Sequence, residues 1–455
     1  MNSIGTCWSS RSRQRPKACT RLTGSPVPSL GRSQHVHRLR ANRISPAGGT
    51  ANVDTMASRL QVNRVALENF LSFATCDVTL GQLTFLVGRN GSGKSNFLYA
   101  LRFVAESLRH SIGRALESHH GIYGALRRSP VSPQHFGIRL DCRVANATVQ
   151  FAFIVALRGD DEFEVRREEC RVMPDDSTGE GHHYSIREGQ VSASFPNPPP
   201  VSKDRLYLLA ASGIEAFRPT YDSLSRMGFY NLLPESIADA QPPDPGMVLR
   251  SDGGNLVRVI SRMEDRAPWI KKRIEEYLCS VVPGLTGVGH ASLGSLELLE
   301  FQQHVGSSIE PATFYADSMS DGTLRALGVL VALFQCADSS GPLLVGIEEP
   351  EDGLHPAASE ILLDSLREAA QHAQVIVTSH SADLLDEPDV PAEAILAVVA
   401  EQGESRIGPL DEASRTSLSR HLFGAGELMR CDQLRIAPAV AAQGTDRFDL
   451  FEGMP

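Results

Sequence analysis

The chain has 455 residues, of which 42% are hydrophobic and 22% are charged, a balance typical of a globular protein. This length allows one large core or two to three domains. The net charge of −10 argues against general nucleic-acid binding, so any DNA contact would need a local basic patch.

Cysteine spacing and hydropathy argue against zinc-binding, disulfide-linked and membrane-spanning classes of protein. The eight cysteines never form a C-x-x-C pair, which argues against a zinc site and against a disulfide framework. No apolar run approaches the roughly 18–20 residues of a membrane-spanning helix. We therefore expect a cytoplasmic protein with no membrane partner.

Residues 1–57 are rich in Ser, Arg, Pro and Gly and show no periodicity, which predicts a disordered N-terminal extension. They contain nine Lys or Arg residues and one acid, Asp54, so the rest of the chain is more acidic than the whole. A high Arg and Ser content faintly resembles a transit peptide, but no amphipathic helix is evident. Translation from Met1 and from Met56 both remain open, and we favour Met56.

The next stretch predicts a site for a nucleoside triphosphate. Apolar residues over 60–80 predict paired strands, and the short run 83–87 is typical of a buried strand. A sequence G-x-x-x-x-G-K-S follows directly, and apolar spacing over 97–108 then predicts a helix. This phosphate loop consists of Gly88, Arg89, Asn90, Gly91, Ser92, Gly93, Lys94 and Ser95.

The chemistry of the loop follows from its residue types. Its glycines let backbone N–H groups approach the phosphates at the positive end of a helix. Lys94 would reach the β- and γ-phosphate oxygens, and the Ser95 hydroxyl would hold Mg²⁺. A glycine-rich turn without a ligand is the alternative, but strand and helix flank the loop as binding requires. We therefore predict a nucleoside triphosphate and Mg²⁺ as ligands.

The middle of the chain changes from strands to helices. Alternating apolar residues over 136–157 indicate an antiparallel sheet, and 158–204 indicate further strands joined by loops. We expect a short strand over 206–209. Residues 214–285 indicate a compact helical insertion, with helices predicted over 221–227, 256–264 and 268–282. No heptad repeat is long enough for a coiled-coil arm.

A second group of polar residues precedes an apolar helix. Residues 318–323 read S-M-S-D-G-T, and apolar residues then recur at helical spacing. Ser320 is a natural N-cap with free N–H groups behind it at a positive helix end. By itself this pattern is also that of an ordinary helix cap.

Two later strands end in residues suited to hydrolysis. The apolar run 343–347 ends in Glu348 and Glu349, which suit Mg²⁺ binding and the polarisation of a water respectively. Without a phosphate loop upstream, the same residues would be a surface acidic turn. The strand predicted over 375–378 ends in Ser379-His380-Ser381, where His380 could sense a γ-phosphate; a histidine at a strand end is otherwise commonly a surface residue.

This order of motifs, over about residues 59–435, resembles the ABC-ATPases of the SMC/RecF type. The loop followed by Asn96 and by A-L-R-F at 100–103 looks especially like that branch. Closest in appearance are compact bacterial ATPases of the AAA/OLD-like ATP-binding type, without a Toprim domain. These also carry a motif like S-D-G-G-N-L, found here at 251–256.

The resemblance implies an α/β fold: a P-loop NTPase of the ABC-ATPase type, with a mixed central sheet, an antiparallel β lobe and a helical insertion. It implies that the triphosphate is ATP and that the signature of one subunit completes the ATP site of another in an ATP-dependent homodimer. The implied residues are the signature Ser318, Ser320 and Gly322, the catalytic Glu349, the turn Asp352 and Gly353, and the switch His380.

The chain departs from the family pattern in two ways. Glu348 stands where many relatives have Asp, which affects the expected Mg²⁺ geometry. The Q-loop glutamine of the family has no clear counterpart, since Gln134 and Gln150 are both unconvincing.

The implied function is ATP hydrolysis serving DNA repair or maintenance, or anti-phage defence, with DNA or a separate effector protein as partner. Alternatives are the nucleotide-binding subunit of a transporter and a regulatory ATP-binding module acting on a separate effector nuclease. We expect no Toprim domain in the 75 residues after His380.

Five segments are predicted along the chain. These are a disordered extension (1–57), an N-terminal ATPase lobe with the phosphate loop (58–213), a helical insertion (214–285), a C-terminal lobe with the signature, carboxylates and switch histidine (286–435), and a flexible tail (436–455).

Overall fold

The computed structural model describes residues 59–159, 162–175, 181–243, 246–387, 390–420, 422–438 and 448–454. The predicted disordered extension over 1–57 lies outside these residues. Within the described ranges, no helix is both long and apolar enough to span a membrane.

The strands form three sheets. They are β1 (Leu60–Phe70), β2 (Phe73–Thr79), β3 (Leu83–Val87), β4 (His135–Val144), β5 (Ala147–Arg158), β6 (Glu162–Pro174), β7 (His182–Arg187), β8 (Gln190–Ala193), β9 (Met227–Tyr230), β10 (Leu285–Leu293), β11 (Leu296–Gln303), β12 (Ala312–Tyr315), β13 (Leu344–Glu348), β14 (Gln374–Ser379), β15 (Ile395–Glu401) and β16 (Glu404–Pro409).

The helices pack against these sheets. They are α1 (Lys94–Arg109), α2 (Ile112–Glu117), α3 (Ile122–Ala125), α4 (Tyr207–Ala211), α5 (Arg218–Ser225), α6 (Pro234–Ala238), α7 (Leu256–Arg266), α8 (Pro268–Val281), α9 (Asp321–Phe334), α10 (Ser359–Ala369), α11 (Ala382–Leu385), α12 (Glu412–Ser419) and α13 (Ala425–Arg430).

A six-stranded mixed sheet forms the centre of the fold, in the order β16-β15-β3-β14-β13-β9. Strands β15, β3, β14, β13 and β9 are parallel, and β16 pairs antiparallel with β15. The parallel strands are almost wholly buried and read as continuous apolar runs, as expected when both faces of a sheet are covered. Their carboxyl ends therefore meet at one edge.

The second large sheet is antiparallel, with the order β2-β1-β4-β5-β6-β7-β8. It confirms the alternation predicted over 136–157. Helix α1 packs between this sheet and one face of the central sheet, while α7 to α10 cover the other face. The remaining sheet, β10-β11-β12, leads into the segment before α9.

The side chain of Gln374 joins the two large sheets. It is fully buried at the start of β14. Its Oε1 accepts from the backbone N–H of Val62 at 2.8 Å, and its Nε2 donates to the carbonyls of Val62 and Gly81 at 2.9 and 2.8 Å. Every polar atom of this amide group thus has a partner in β1 or beside β3, which fixes the antiparallel lobe against the phosphate-loop strand.

Two local predictions are wrong. Residues 206–209, expected as a strand, begin helix α4, because the buried carboxylate of Glu168 accepts hydrogen bonds from the N–H groups of Tyr207 and Leu208. The segment 214–285 contains the three predicted helices as α5, α7 and α8, but it is not a wholly helical insertion, because its strand β9 pairs in parallel with β13 and forms the edge of the central sheet. The boundaries of the five segments remain predictions.

The end of the chain also differs from the expected flexible tail over 436–455. Leu450 and Phe451 are buried against the antiparallel sheet. Arg139, itself buried, donates to the carbonyls of Leu450 and Glu452 at 3.1 and 2.7 Å. The guanidinium of Arg167 lies 3.6 Å from the centre of the Phe451 ring. Residues 448–454 are therefore a docked segment.

Replacing Glu168 by Gln tests the pH dependence of the fold. Burial raises the pKa of Glu168 from 4.5 to about 7, so between these values the folded protein holds a proton that the unfolded chain releases. This contribution to stability is present below about pH 4.5 and is lost as the pH rises through about 7. Across this window, we expect the free energy of unfolding of the wild type to fall relative to Glu168→Gln by up to about 3 kcal/mol.

Urea denaturation at several pH values measures this difference. Glu162→Gln, at an exposed position at the start of the same strand, controls for the loss of one carboxylate. A difference between the wild type and Glu168→Gln that stays constant with pH would contradict the expectation.

Candidate functional site

The phosphate loop joins β3 to α1 at the carboxyl edge of the central sheet. Gly88 is enclosed, because a Cβ there would clash with the carbonyl oxygen of Val398. Gly91 and Gly93 have φ values of 77° and 108°, in the left-handed region that favours glycine. The loop therefore has the tight turn that its sequence predicts.

Lys94 lies at the start of α1 and folds over this turn. Its Nζ donates to the carbonyls of Gly88 and Arg89 at 2.9 and 3.2 Å. Burial lowers the pKa of Lys94, and the negative charges of Glu349, Glu351 and Glu348 oppose that shift. Lys94 is thus a cation close to three carboxylates, at the edge of the central sheet where the phosphate loop lies.

Ser95 and Glu348, the two predicted Mg²⁺ ligands, are in direct contact. The Ser95 hydroxyl donates to Oε2 of Glu348 at 2.5 Å. A hydroxyl and a carboxylate oxygen are donors that Mg²⁺ accepts, with water and phosphate oxygens completing its shell. Across the described residues, no group of three His, Cys, Asp or Glu side chains could hold a metal unaided. The hydroxyl of Ser95 and the carboxylate of Glu348 fit an ion that takes its other ligands from water and from a phosphorylated substrate.

Glu349 and His380 also meet. The Nδ1 of His380 lies 3.0 Å from Oε1 of Glu349, and both side chains are partly exposed to solvent. They come from neighbouring parallel strands, since β13 ends at Glu348 and β14 ends at Ser379. A carboxylate with an imidazole beside it at an open edge can accept a proton from a water and keep its orientation.

Glu349 has an unusual backbone conformation. Its φ is 46°, in the left-handed region, although the next residue is Pro350 and a residue before proline favours extended backbone. Its N–H donates to the carbonyl and to the hydroxyl of Thr378 at 3.0 and 3.2 Å. Arg325 donates to the carbonyls of Glu348 and Glu349 at 3.4 and 3.2 Å. These contacts hold the strained turn and aim the carboxylate.

Glu351 holds the turn that carries the histidine. Its Oε1 accepts from the Ser379 hydroxyl at 2.6 Å and from the N–H groups of His380 and Ser381 at 3.3 and 3.2 Å. Burial raises the pKa of this carboxyl group. Sequence reasoning gave no role to Glu351, Arg325 or Thr378. The signal for Arg325 was a single charge within the apolar run of α9.

The signature residues lie at the exposed start of α9. Ser320 caps this helix, since its hydroxyl accepts from the Thr323 N–H at 3.3 Å, and both Ser318 and Ser320 are exposed. Gly322 packs against the carbonyl of Gly353, in the turn after the carboxylates. Among the described residues, no hydrogen bond or ion pair links Ser318 or Ser320 to the phosphate loop of the same chain.

The other predicted loop residues point in different directions. Arg89 is exposed and lies 3.8 Å from Asp432, and Asn90 is exposed. Ser92 is buried, and its hydroxyl has no partner within the described chain. Asn96 faces the back of the loop, where its amide donates to the Ser72 hydroxyl at 2.7 Å.

Neither glutamine considered for the Q-loop position lies in the central sheet. Gln134 directly precedes β4 and Gln150 lies in β5, so both lie at the antiparallel sheet rather than at the central one. The residue after β9 is Asn231, which is exposed and, from the pairing of Tyr230 with Ile347, lies level with Glu348. Its N–H donates to the carbonyl of Ser251 at 2.9 Å. The S-D-G-G-N-L motif therefore positions this segment.

Two family models match the chain. Residues 61–180 match a model described as an AAA ATPase domain. Residues 298–386 match a model described as an AAA domain, whose description also names the AbiEii toxin and a Type IV TA system. The first segment contains the phosphate loop and the second contains the signature, the carboxylates and the histidine. The comparison with curated proteins found no match.

Three solved structures resemble the fold. An SMC head bound to the C-winged helix domain of ScpA is 14% identical, with a TM-score of 0.47 over 78% of this chain and 99% of that chain. The SMC head domain from Thermotoga maritima is 16% identical, with a TM-score of 0.38 over 77% and 99%. An Smc head with an extended coiled coil, bound to the C-terminal domain of ScpA derived from Pyrococcus furiosus, is 12% identical, with a TM-score of 0.46 over 80% and 99%.

The predicted ATPase with an α/β P-loop fold is confirmed. The two family matches describe ATPase domains, and they cover the segments that meet at the carboxyl edge of the central sheet. Nucleotide binding follows for this chain.

Replacing Gly322 by Ala tests the contact between the signature and the turn after the carboxylates. The added Cβ would clash with the Gly353 carbonyl, which is backbone and cannot move aside easily. We expect ATP turnover to fall at least about tenfold while nucleotide affinity stays within about twofold, because the phosphate loop is untouched. Phosphate release and the fluorescence of a labelled nucleotide measure the two effects.

Gly81→Ala is the matched control, since a Cβ there makes ordinary contacts, the nearest at 3.5 Å. Full turnover by Gly322→Ala, in a folded protein, would show that this contact does not constrain the signature.

Proposed function

We propose that this AAA-type ATPase, whose motifs are arranged as in the SMC/RecF-like ABC-ATPases, closes as a homodimer around two ATP molecules. The signature of each copy, with Ser318, Ser320 and Gly322, would face the phosphate loop of the other copy. One observation supports this proposal above all. The start of α9 is exposed. Within the described residues, no hydrogen bond or ion pair joins Ser318 or Ser320 to the phosphate loop of the same copy.

The capped end of α9 supplies what the phosphate loop lacks. Backbone N–H groups at a helix N-terminus, with the positive end of the helix dipole, stabilise a negatively charged γ-phosphate. Ser320 caps the Thr323 N–H and is itself exposed at this helix end, together with Asp321. Closure of two copies would surround the triphosphate from both sides and exclude bulk water.

The roles within one site follow from its contacts. In this proposal the N–H groups of residues 88–95 and Lys94 bind the phosphates, and Asn96 supports the loop from behind. Glu349 accepts a proton from the attacking water, and His380 keeps that carboxylate oriented toward the γ-phosphate. Ser95 and Glu348 would hold Mg²⁺, which offsets negative charge on the phosphates when bound.

The electrostatics favour opening after hydrolysis. Three carboxylates, Glu348, Glu349 and Glu351, act on Lys94 at this edge. The triphosphate brings further negative charge, which Mg²⁺, Lys94 and the partner's helix end would balance. Loss of the γ-phosphate removes the group that both copies share, so the dimer would open.

The process that hydrolysis drives is, in this proposal, anti-phage defence or DNA maintenance in the cytoplasm. The toxin–antitoxin system named in one family description favours defence. The net charge of −10 disfavours an extended DNA-binding face and favours a separate effector protein as partner. Comparing ATP turnover with and without DNA ends separates the two processes.

Replacing Lys94 by Ala tests the phosphate loop. The variant loses the one cation that the loop places at the phosphates, and we expect ATP affinity to fall at least about a hundredfold. Calorimetry with ATP measures the loss, and Lys203→Ala, at an exposed position, is the control. Unchanged ATP affinity would reject the assignment of the loop.

Replacing Glu349 by Gln tests the dimer. The amide keeps the size of the side chain but cannot accept the proton of the attacking water, so we expect a stable dimer with ATP bound and turnover reduced at least about a hundredfold. Light scattering with ATP measures the mass.

The double variant Lys94→Ala/Glu349→Gln is the control and should stay monomeric, because it lacks the cation that binds ATP. A Glu349→Gln protein that binds ATP but remains monomeric would count against closure of two copies.

A further inference from the structure

A cavity with a basic lining lies at the far end of α1 from the phosphate loop. Its volume is about 490 Å³, within the range of small-molecule sites. It is bounded by the last turns of α1, by the edge strand β9 and by residues 248–251 and 340–342. Its charged lining consists of five arginines and one glutamate: Arg102, Arg109, Arg114, Arg226, Arg250 and Glu106.

The protein neutralises only part of this positive charge. Arg102 pairs with Glu106 at 2.6 Å. Arg109 donates to the carbonyl of Met227 at 2.8 Å, and Arg226 donates to the carbonyls of Ser339 and Gly341 at 2.6 Å each. No carboxylate in the described part of the chain forms an ion pair with Arg109, Arg114 or Arg250.

Two of these guanidinium groups are partly removed from water, which raises the free energy of their positive charge. Burial lowers the pKa of both Arg109 and Arg226, and the attraction of nearby Glu106 and Asp222 does not cancel that effect. Arg109 is still exposed to the cavity. An anion between these guanidinium groups would supply the missing counter-charge.

Ordinary structural roles explain only some of these arginines. A basic residue in the last turn of a helix complements the helix dipole, which accounts for Arg109. Arg226 ties down the loop before β13 through its carbonyl contacts. Arg114 lies in the last turn of the short helix α2, where it also complements the helix dipole. Arg250 is exposed, comes from a different segment and has neither role, yet it lines the same cavity.

Part of the remaining lining is apolar. Met227, Phe229 and Leu249 line the cavity, and each is buried in the fold. A concave site with several guanidinium groups and an apolar wall fits a small ligand that carries a phosphate and a flat or apolar part. A chain with a net charge of −10 would attract an extended polyanion poorly.

We propose that this cavity binds a phosphate-bearing small molecule of mononucleotide size, at a site separate from the phosphate loop. The phosphate would be surrounded by guanidinium groups from α1, from α2, from the turn before β9 and from the segment before α7. The apolar wall would contact the rest of the ligand.

Calorimetry on the full-length Lys94→Ala protein tests the site, with AMP and inorganic phosphate as probes. This background removes the lysine of the phosphate loop, and AMP lacks the β- and γ-phosphates that the loop would grip. We expect binding with a dissociation constant below about 1 mM. Arg114→Gln/Arg250→Gln in the same background should weaken binding at least about tenfold, because two charge-assisted contacts are lost.

The control is Arg258→Gln, an exposed arginine on α7 outside the cavity, which should not change the affinity. Thermal melting confirms that each variant is folded. Tighter binding of AMP than of phosphate identifies a nucleotide as the ligand, and equal or tighter binding of phosphate identifies the free ion.

Three results would overturn the proposal. One is no binding of either probe at about 10 mM. Another is equal affinity in the Arg114→Gln/Arg250→Gln variant and its parent. The third is a single-stranded oligonucleotide that binds at least about tenfold more tightly than AMP and loses its affinity in that variant, which would identify a nucleic-acid surface instead.

Discussion

Parallel pairing of β3, β14 and β13 is the constraint on which the site depends. The register places Val87 beside Ser379 and Thr378 beside Glu348. Neighbouring strands lie about 4.8 Å apart, so the phosphate loop, the histidine turn and the carboxylates all begin within two strand spacings. Residues far apart in the chain therefore meet at one edge of the central sheet. Gln374 then fixes the antiparallel lobe against the same strands.

Polar contacts behind that edge hold its geometry. Glu349 adopts a left-handed backbone before a proline, and Thr378 and Arg325 supply the hydrogen bonds that keep it there. Because Arg325 belongs to α9, the carboxylate turn and the signature helix are linked within one copy. Contact between Gly322 and the Gly353 carbonyl is a second link.

Helix α1 connects two regions of opposite charge. At its start, Lys94 faces three carboxylates, and at its end, arginines outnumber the single glutamate of the cavity. Strand β9 also touches both regions, since Met227 lines the cavity and Asn231 follows the strand at the level of Glu348. The proposed anion site and the ATP edge therefore share two rigid elements.

The sequence by itself determined the elements whose signals are contiguous. The phosphate loop, the carboxylates after β13 and the alternating strands of the antiparallel sheet were predictable, because neighbouring residues carry each pattern. Tertiary structure decided the rest. Helix α4 depends on Glu168, 39 residues before Tyr207, and β9 is a four-residue strand defined only by its pairing with β13. The arginines of the cavity come from separate segments, and 448–454 is held by Arg139. Contacts between distant residues leave no local pattern, so only the folded chain could place them.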